Sequence, residues 1–391
     1  MTIKRFTKFV ILIFSLAISI TLFSGCGDYD DSYMAEIIKQ MKESDRKTKG
    51  NEADRLGSWG SINQGIERSD DWRQIVTNSQ FQLGEKTVKG HWKSSGDYYE
   101  IAYGTYPSID GSTVALPMAI EFARQHLGFS DETANDFVGF STTHQAYINL
   151  ISREPNGRDG MIREESTFLD DTHPVDIIIA TDASAEESDL AMQEGVALIK
   201  NPVCYDAFVF ITHRGNPVDS LTIEQVRDIY SGVVTNWKEV GGDDAPIIAY
   251  QRQENSGSQS GMIDLVMKDT PMIPPKETEI AVDMGALINV VAEYKNKSSS
   301  IGYTYKYYID NLYKNKNIKI INIDGVPADE ESIREGSYPL STCYYGVIRS
   351  RDKNATGGKF LDWMLSEEGQ ECIKLAGYIP LNGVATMNEE N

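Results

Sequence analysis

The chain has 391 residues, 40% of them hydrophobic and 10% aromatic, enough material for two or three domains with cores of their own. Its formal charge of −21 argues against nucleic acid and anionic membrane surfaces as partners of the folded body, since both repel it over a Debye length. An anion bound by such a chain must be held by local geometry rather than by net charge.

Residues 1–25 read as a targeting segment. "MTIKRFTKFVILIFSLAISITLFSGC" carries Lys4, Arg5 and Lys8, then an apolar run from Phe9 to Phe23, then Ser24 and Gly25 before Cys26. Small residues before a cysteine, followed by "GDYDDS", resemble a lipobox, with Phe23 bulkier than the leucine usual at its place. That resemblance predicts cleavage before Cys26 and a lipid on its thiol. The apolar run is short for a membrane span, although an uncleaved anchor is the alternative. Loss of the three basic residues takes the formal charge from −21 to −24, so the expected product is a very soluble body tethered to the outer face of the cell membrane.

Residues 26–95 are polar and interrupted by Gly, Asn, Asp and Ser, which predicts a spacer with one short helix at "DSYMAEIIKQMKE". From Tyr98 onward β and α patterns alternate. "YYEIAYG" reads as a strand, "ALPMAIEFARQHLG" as a helix with a glycine stop, "VDIIIATD" as a buried strand and "EESDLAMQEG" as a helix. A second unit starts near Ala207. "AFVFITH", "APIIAYQR", "SSIGYTYKYY", "IKIINIDG" and "YPLSTCYYGVIR" read as strands. "SLTIEQVRDIYSG", "QSGMIDLVMKDT", "INVVAEYKN" and "ATGGKFLDWMLSEEGQECIKLAG" read as helices. Such alternation predicts an α/β fold with largely parallel sheets.

Four cysteines (Cys26, Cys204, Cys343, Cys372) and five scattered histidines (His91, His126, His144, His173, His213) form no CxxC and no Cys/His cluster, so neither a disulfide framework nor a metal site is expected, and no cofactor.

Four stretches carry candidate chemistry. In "IDGSTVALPMAIEFA", Ser112 and Thr113 follow a turn and precede a helix, which suits either an anion seat or ordinary capping. "FSTTHQAYINLI" again opens a helix with hydroxyls. "VDIIIATDASAEE" puts Asp182 at the carboxyl end of a strand, the edge where ligands sit in open α/β sheets. Asp182 there can accept a proton carried by an anion, or merely cap the next helix. "YQRQENSGSQSG" places Arg252 after a strand and Ser256, Gly257 and Ser258 before a helix: a planar cation beside hydroxyls and a glycine that admits close approach. It is neither a Walker A loop nor a G-x-S-x-G elbow.

Together with "NPVDSLTIEQVRDIYSGVVTNWKEVGG", "SSIGYTY", "SYPLS" and "GYIPL", these stretches resemble the phosphate-binding lipoproteins of phosphate ABC transporters, within the periplasmic-binding-protein-like superfamily. The resemblance runs from about Ile109 to the C-terminus. It implies a two-lobed (type II) fold with a ligand cleft between lobes, residues 96–205 with 338–391 forming the first lobe and 206–337 the second. It also implies capture of inorganic phosphate without catalysis, and delivery to a permease by a monomer. Residue by residue, it implies ligand contacts from Ser112, Thr113 and Val114, a proton-accepting carboxylate at Asp182, the cation at Arg252, and an R-x-x-x-S-G-S element at Arg252, Ser256, Gly257 and Ser258. The chain departs from the family where a Ser- and Gly-rich loop is usual: it has "STTHQAY", leaving Ser141, Thr142 and Thr143 as candidates without an assigned register, and His144 as a residue that this loop could present to the ligand. Capture of another oxyanion, a hydrolase using Ser256 or Ser258, and a sensing or adhesion role remain as alternatives.

Overall fold

The computed structural model describes residues 73–82, 86–91, 98–103, 105–153, 162–163, 174–254, 256–276, 279–281, 284–293 and 299–381. The targeting segment, Cys26 and the short helix expected at 31–43 lie outside them. All described residues fall in one compact unit, Ile62–Asn391.

Strands β1 (Lys86–His91), β2 (Tyr98–Tyr103) and β4 (Ile162–Arg163) form a small antiparallel sheet. The main body begins with β3 (Ile109–Gly111), helices α1 (Leu116–Leu127), α2 (Asp131–Phe137) and α3 (Thr143–Ser152), then β5 (Ile177–Ala180) and α4 (Ala185–Gln193). Strand β6 (Leu198–His213) follows, then β7 (Ser220–Leu221), α5 (Ile223–Ser231), β8 (Ile248–Ala249), β9 (Gln251–Arg252) and α6 (Gly257–Gly261), which runs on as a wider π-helical stretch over Met262–Met267. Next come β10 (Ile280–Ala281), α7 (Met284–Ala292), β11 (Ser300–Tyr305), β12 (Ile318–Ile323) and α8 (Glu330–Glu335). The chain closes with β13 (Ser341–Arg349), α9 (Thr356–Met364), α10 (Glu367–Leu375) and β14 (Ile379–Pro380).

β6 organises the body. Its residues Leu198–Ala207 pair with β13, and Phe208–Thr212 pair with β11, both antiparallel. One strand therefore runs through two groups of strands: β3, β5, β13 and β14 around its first half, and β11, β8 and β12 around its second. The sheet is mixed rather than largely parallel. β3 runs parallel to β5 and β8 parallel to β11, but every strand on β6 opposes it.

Local sequence explains the helices that flank this sheet. α1 buries Met118, Ala119, Phe122 and Ala123 at helical spacing and stops at Gly128, whose φ of 67° is a left-handed conformation that glycine adopts without a Cβ clash. Capping boxes at Ser184/Glu187 and Thr222/Gln225 start α4 and α5 by satisfying otherwise unpaired N–H groups. The single helix expected over 355–377 is two, α9 and α10, because the Ser366 hydroxyl accepts the Gly369 N–H at 3.2 Å and starts a new helix.

The spacer expected over residues 26–95 gives way to body structure at 73–82. Gln125 of α1 accepts the Ile75 and Val76 N–H groups (2.8 and 3.2 Å), and Val76 and Phe81 are buried in the core. Phe81 packs edge-on against Phe360 with ring centroids 4.9 Å apart, so two apolar residues in a polar stretch suffice to dock it.

Candidate functional site

The first turn of interest follows β3. Asp110, fully buried, accepts hydrogen bonds from the Gly111 N–H (2.7 Å), the Ser141 N–H (2.7 Å), the Ser141 hydroxyl (2.6 Å) and the Asn149 side-chain amide (2.9 Å). Burial raises its carboxyl above the ordinary range, and these donors oppose the rise. Within this network the Ser141 hydroxyl donates to Asp110 and ties the α3 loop to β3. Gly111 has no room for a side chain, since a Cβ there would lie 2.2 Å from the Ile179 carbonyl oxygen. That close packing lays the Ser112–Val114 turn against β5, with the Ser112 N–H donating to the Ile179 carbonyl (2.9 Å). Ser112 and Val114 are buried, Thr113 is half-buried, and the Ser112 side chain caps no N–H.

Thr142 is exposed and serves as N-cap of α3, accepting the Gln145 N–H at 3.4 Å. Thr143, the next residue, is buried and faces the second half of the body. Of the three hydroxyls left without a register, Thr143 is the one that meets the second half of the body, at Gly257. His144 turns away to Glu187 of α4, Nδ1 to Oε1 at 2.9 Å. The hydrogen bond to Glu187 raises the imidazole pKa, against the effect of burial.

Beyond β5, Thr181 is buried, and Asp182 is exposed with its side chain bonded to the Ala183 N–H (2.9 Å) and to the Lys200 ammonium. The carboxylate expected to test a ligand's proton is engaged by Lys200 of β6, which reaches across the intervening strand β13 with its ammonium 4.7 Å from the centre of the Tyr345 ring.

In the second half, β9 ends at Arg252, whose N–H donates to the Gln259 side chain (3.2 Å) and the Tyr303 hydroxyl (3.0 Å). The guanidinium reaches the Ala281 carbonyl through Nε (3.2 Å) and the Ser258 hydroxyl through Nη1 (3.5 Å). Ser256 caps α6, accepting the Gln259 N–H at 3.2 Å. The Tyr305 hydroxyl donates to the Gly257 carbonyl at 3.1 Å. Sequence reading missed Tyr303 and Tyr305; their alternation in "SSIGYTYKYY" placed both on one face of β11, the available signal.

The two halves meet at Gly257. A Cβ on this residue would lie 2.7 Å from Thr143 Oγ1 and 3.2 Å from Thr181 Oγ1. The close approach brings the loop holding Ser256, Gly257 and Ser258, with Arg252 behind it, against the start of α3 and the end of β5. Asp264, on the π-helical stretch, has a raised pKa, first from burial and then from Asp182 and Glu187 on the facing elements. The arrangement suits a small anion that carries a proton: hydroxyls from both halves, a guanidinium on one side, and carboxylates at the rim.

Among the described residues no group of His, Cys, Asp and Glu is placed to hold a metal. Cys204, Cys343 and Cys372 are free thiols. Cys204 pairs with Tyr344 and Cys343 with Tyr205, so the two cysteines point to opposite faces of the sheet.

A family model described as a PBP superfamily domain matches residues 98–368. The chain is similar to the phosphate-binding protein PstS of Borreliella burgdorferi, 28% identical over 52% of this chain and 71% of that one. It is also similar to the phosphate-binding protein PstS of Bacillus subtilis, 24% identical over 54% of this chain and 66% of that one. Among solved structures, a putative phosphate ABC transporter substrate-binding protein from Clostridium perfringens, with bound phosphate, aligns at 27% identity and a TM-score of 0.49, covering 71% of this chain and 99% of that one. With the family model matching well over half of its residues, and one long strand threading two groups of strands, the chain belongs to the PBP superfamily, the periplasmic-binding-protein-like proteins.

Proposed function

We propose that this chain is an extracytoplasmic solute-binding protein that captures inorganic phosphate between two lobes, 96–205 with 338–391 and 206–337, and delivers it to an ABC-transporter permease without chemical turnover. The observation that carries the reading is the approach of Gly257 to Thr143 and Thr181, with Arg252 bonded to Ser258 behind the same loop. Names of relatives that bind phosphate support the choice of anion. A lipid on Cys26 would hold the monomer at the outer face of the membrane.

Phosphate would enter where Gly257 now meets Thr143, contacted by Ser112, Thr113 and Val114 from the first lobe and by Arg252, Ser256, Gly257 and Ser258 from the second. Thr143 replaces Ser141 in this set. Enclosure removes water and strengthens each hydrogen bond, so capture and closure are one event. Asp182 would leave Lys200 to accept the proton of hydrogenphosphate; sulfate carries none and meets repulsion and an unmade hydrogen bond. Calorimetric titration with phosphate, sulfate, molybdate and organic phosphates tests the reading. Heat with phosphate alone is expected, and its absence together with no thermal shift overturns it.

A further inference from the structure

Where β6 changes partners, one carboxylate is half satisfied. Asp206 precedes the switch from β13 to β11 and is 3% exposed. Its Oδ1 accepts the Ala207 N–H at 2.8 Å and the Tyr307 N–H at 3.1 Å, while Oδ2 is buried with no hydrogen-bond partner. Tyr307 in turn stacks on Tyr378, ring centroids 3.7 Å apart and 4° from parallel, and donates its hydroxyl to the Ala376 carbonyl at 2.7 Å. The Tyr378 hydroxyl donates to the Val114 carbonyl at 2.6 Å. A continuous set of contacts therefore runs from the crossover to the Ser112–Val114 turn.

A buried ionised carboxylate with an orphaned oxygen carries a desolvation cost that a neutral carboxyl largely avoids. Asp206 is held between β13 and the Tyr307 segment that follows β11, so a separation of the two halves about this crossover would open its surroundings to water. We propose that Asp206 is a proton-controlled positioning residue of the crossover: neutral, it permits the closed arrangement of Tyr307, Tyr378 and the Val114 turn; ionised, it favours an opened crossover in which Oδ2 is hydrated. The role of the turn in holding ligand rests on the reading above, but the crossover's response to pH does not.

The groups facing Asp206 leave it as the one that titrates near neutrality. They are Cys204 on its own strand, Cys343 and Tyr344 on β13, Tyr305 on β11, and the Lys306–Asp310 ion pair beyond β11. Burial pushes the Cys343 thiol up to about 11, and pushes Cys204, Tyr305 and Tyr344 upward as well, so these stay neutral. Burial lifts the Asp206 carboxyl to about 7, opposed by the two backbone N–H groups and Lys306 and aided by Asp310. A hydrated aspartate titrates near 4. The sign follows: closure is unpenalised below about pH 4, is progressively disfavoured up to about pH 7, and changes no further above.

Small-angle X-ray scattering of the full, ligand-free chain from about pH 5 to about pH 8 reads this directly. The radius of gyration is expected to rise over that range in the parent and to stay flat in Asp206→Asn, which keeps the Oδ1 acceptor and cannot ionise. In a phosphate titration the ratio of the variant's affinity to the parent's is expected to grow across the same range by up to roughly eightyfold, the bound set by a carboxyl at about 7 closed and near 4 hydrated, the anion's own ionisation cancelling in the ratio. Equal responses of parent and variant, or no response in the parent, overturn the inference. Should the variant not fold, carbon-detected NMR of the parent decides: an aspartate carboxyl must titrate with the same midpoint as the change in size, and a carboxyl set titrating wholly below about pH 6 overturns the idea. Because the scattering needs no ligand, a failure to bind phosphate leaves this result readable by itself.

Discussion

The Tyr378 hydroxyl, near the C-terminal end of the described chain, donates to the Val114 carbonyl at 2.6 Å, joining residues 264 positions apart. Tyr378 is 4% exposed, and its ring is clamped by Tyr307. This bond anchors the turn offered to the ligand from the far end of the chain. Tyr378→Phe keeps the stack and leaves the Val114 carbonyl without its donor. Unfolding free energy is expected to fall by about 1–2 kcal/mol in urea denaturation. Phosphate affinity should fall as well, measured calorimetrically on the folded variant.

The commitment of Ser141 to Asp110 separates two neighbouring hydroxyls. Ser141→Ala removes one of four donors to a buried carboxylate, and a loss of about 1–3 kcal/mol in stability is expected. Thr143→Ala should leave stability within about 1 kcal/mol and weaken phosphate instead. Thermal denaturation paired with titration on both variants checks the assignment; the reverse pattern would restore Ser141 to the site.

Gly257→Ala probes closure. The added methyl would stand 2.7 Å from Thr143 Oγ1, so the halves must separate by some tenths of an ångström or Thr143 must turn. Affinity is expected to drop by roughly tenfold with little change in melting temperature, since the strain acts only when the halves meet. Gly257→Ala combined with Thr143→Ala should recover part of the loss.

Arg252 and Asp182 should fail differently. Arg252→Ala removes the cation and is expected to cost about 3 kcal/mol of phosphate binding, a hundredfold or more. Asp182→Asn should instead raise sulfate binding relative to phosphate. Unchanged titrations of both variants would displace the site from this cleft.

The His144–Glu187 pair gives stability a pH dependence. The folded-state imidazole pKa lies above its unfolded value of 6.5, so the stabilisation is fully present below 6.5 and is lost as pH rises through the folded value. The melting-temperature difference between the parent and His144→Gln should therefore be larger at about pH 5.5 than at about pH 8.5, by differential scanning calorimetry. A constant difference across pH would show that the pair is not charged in the fold.

Helices that carry their own start and stop signals were legible one by one. α1 ends at Gly128 and α5 runs from the Thr222 cap to Gly232, as the residues predict. Reading 355–377 as one helix failed because the apolar spacing continues across Ser366, and only the hydrogen bond to Gly369 marks a new cap. The sheet is mixed where the alternation of elements predicts parallel strands, because strand direction is set by the partner and β6 pairs only with strands that oppose it. Phe81 and Val76 read as spacer in the sequence because two apolar residues among polar ones carry no period.

Legible in the residues alone is the local chemistry: a guanidinium before a Ser-Gly-Ser loop, hydroxyls at helix starts, a carboxylate at a strand end, and the order of elements around them. These depend on neighbours within a few residues, where caps, turns and periodicity act. Long-range packing sets which hydroxyl meets Gly257, that Asp182 is paired with Lys200, and that Asp110 and Asp206 are buried. Each of those outcomes rests on groups brought together from distant parts of the chain, Asn149 for Asp110, Tyr307 for Asp206 and Tyr378 for Val114, and no short stretch records such meetings. The long strand β6 holds the two groups of strands together, since it pairs with members of both.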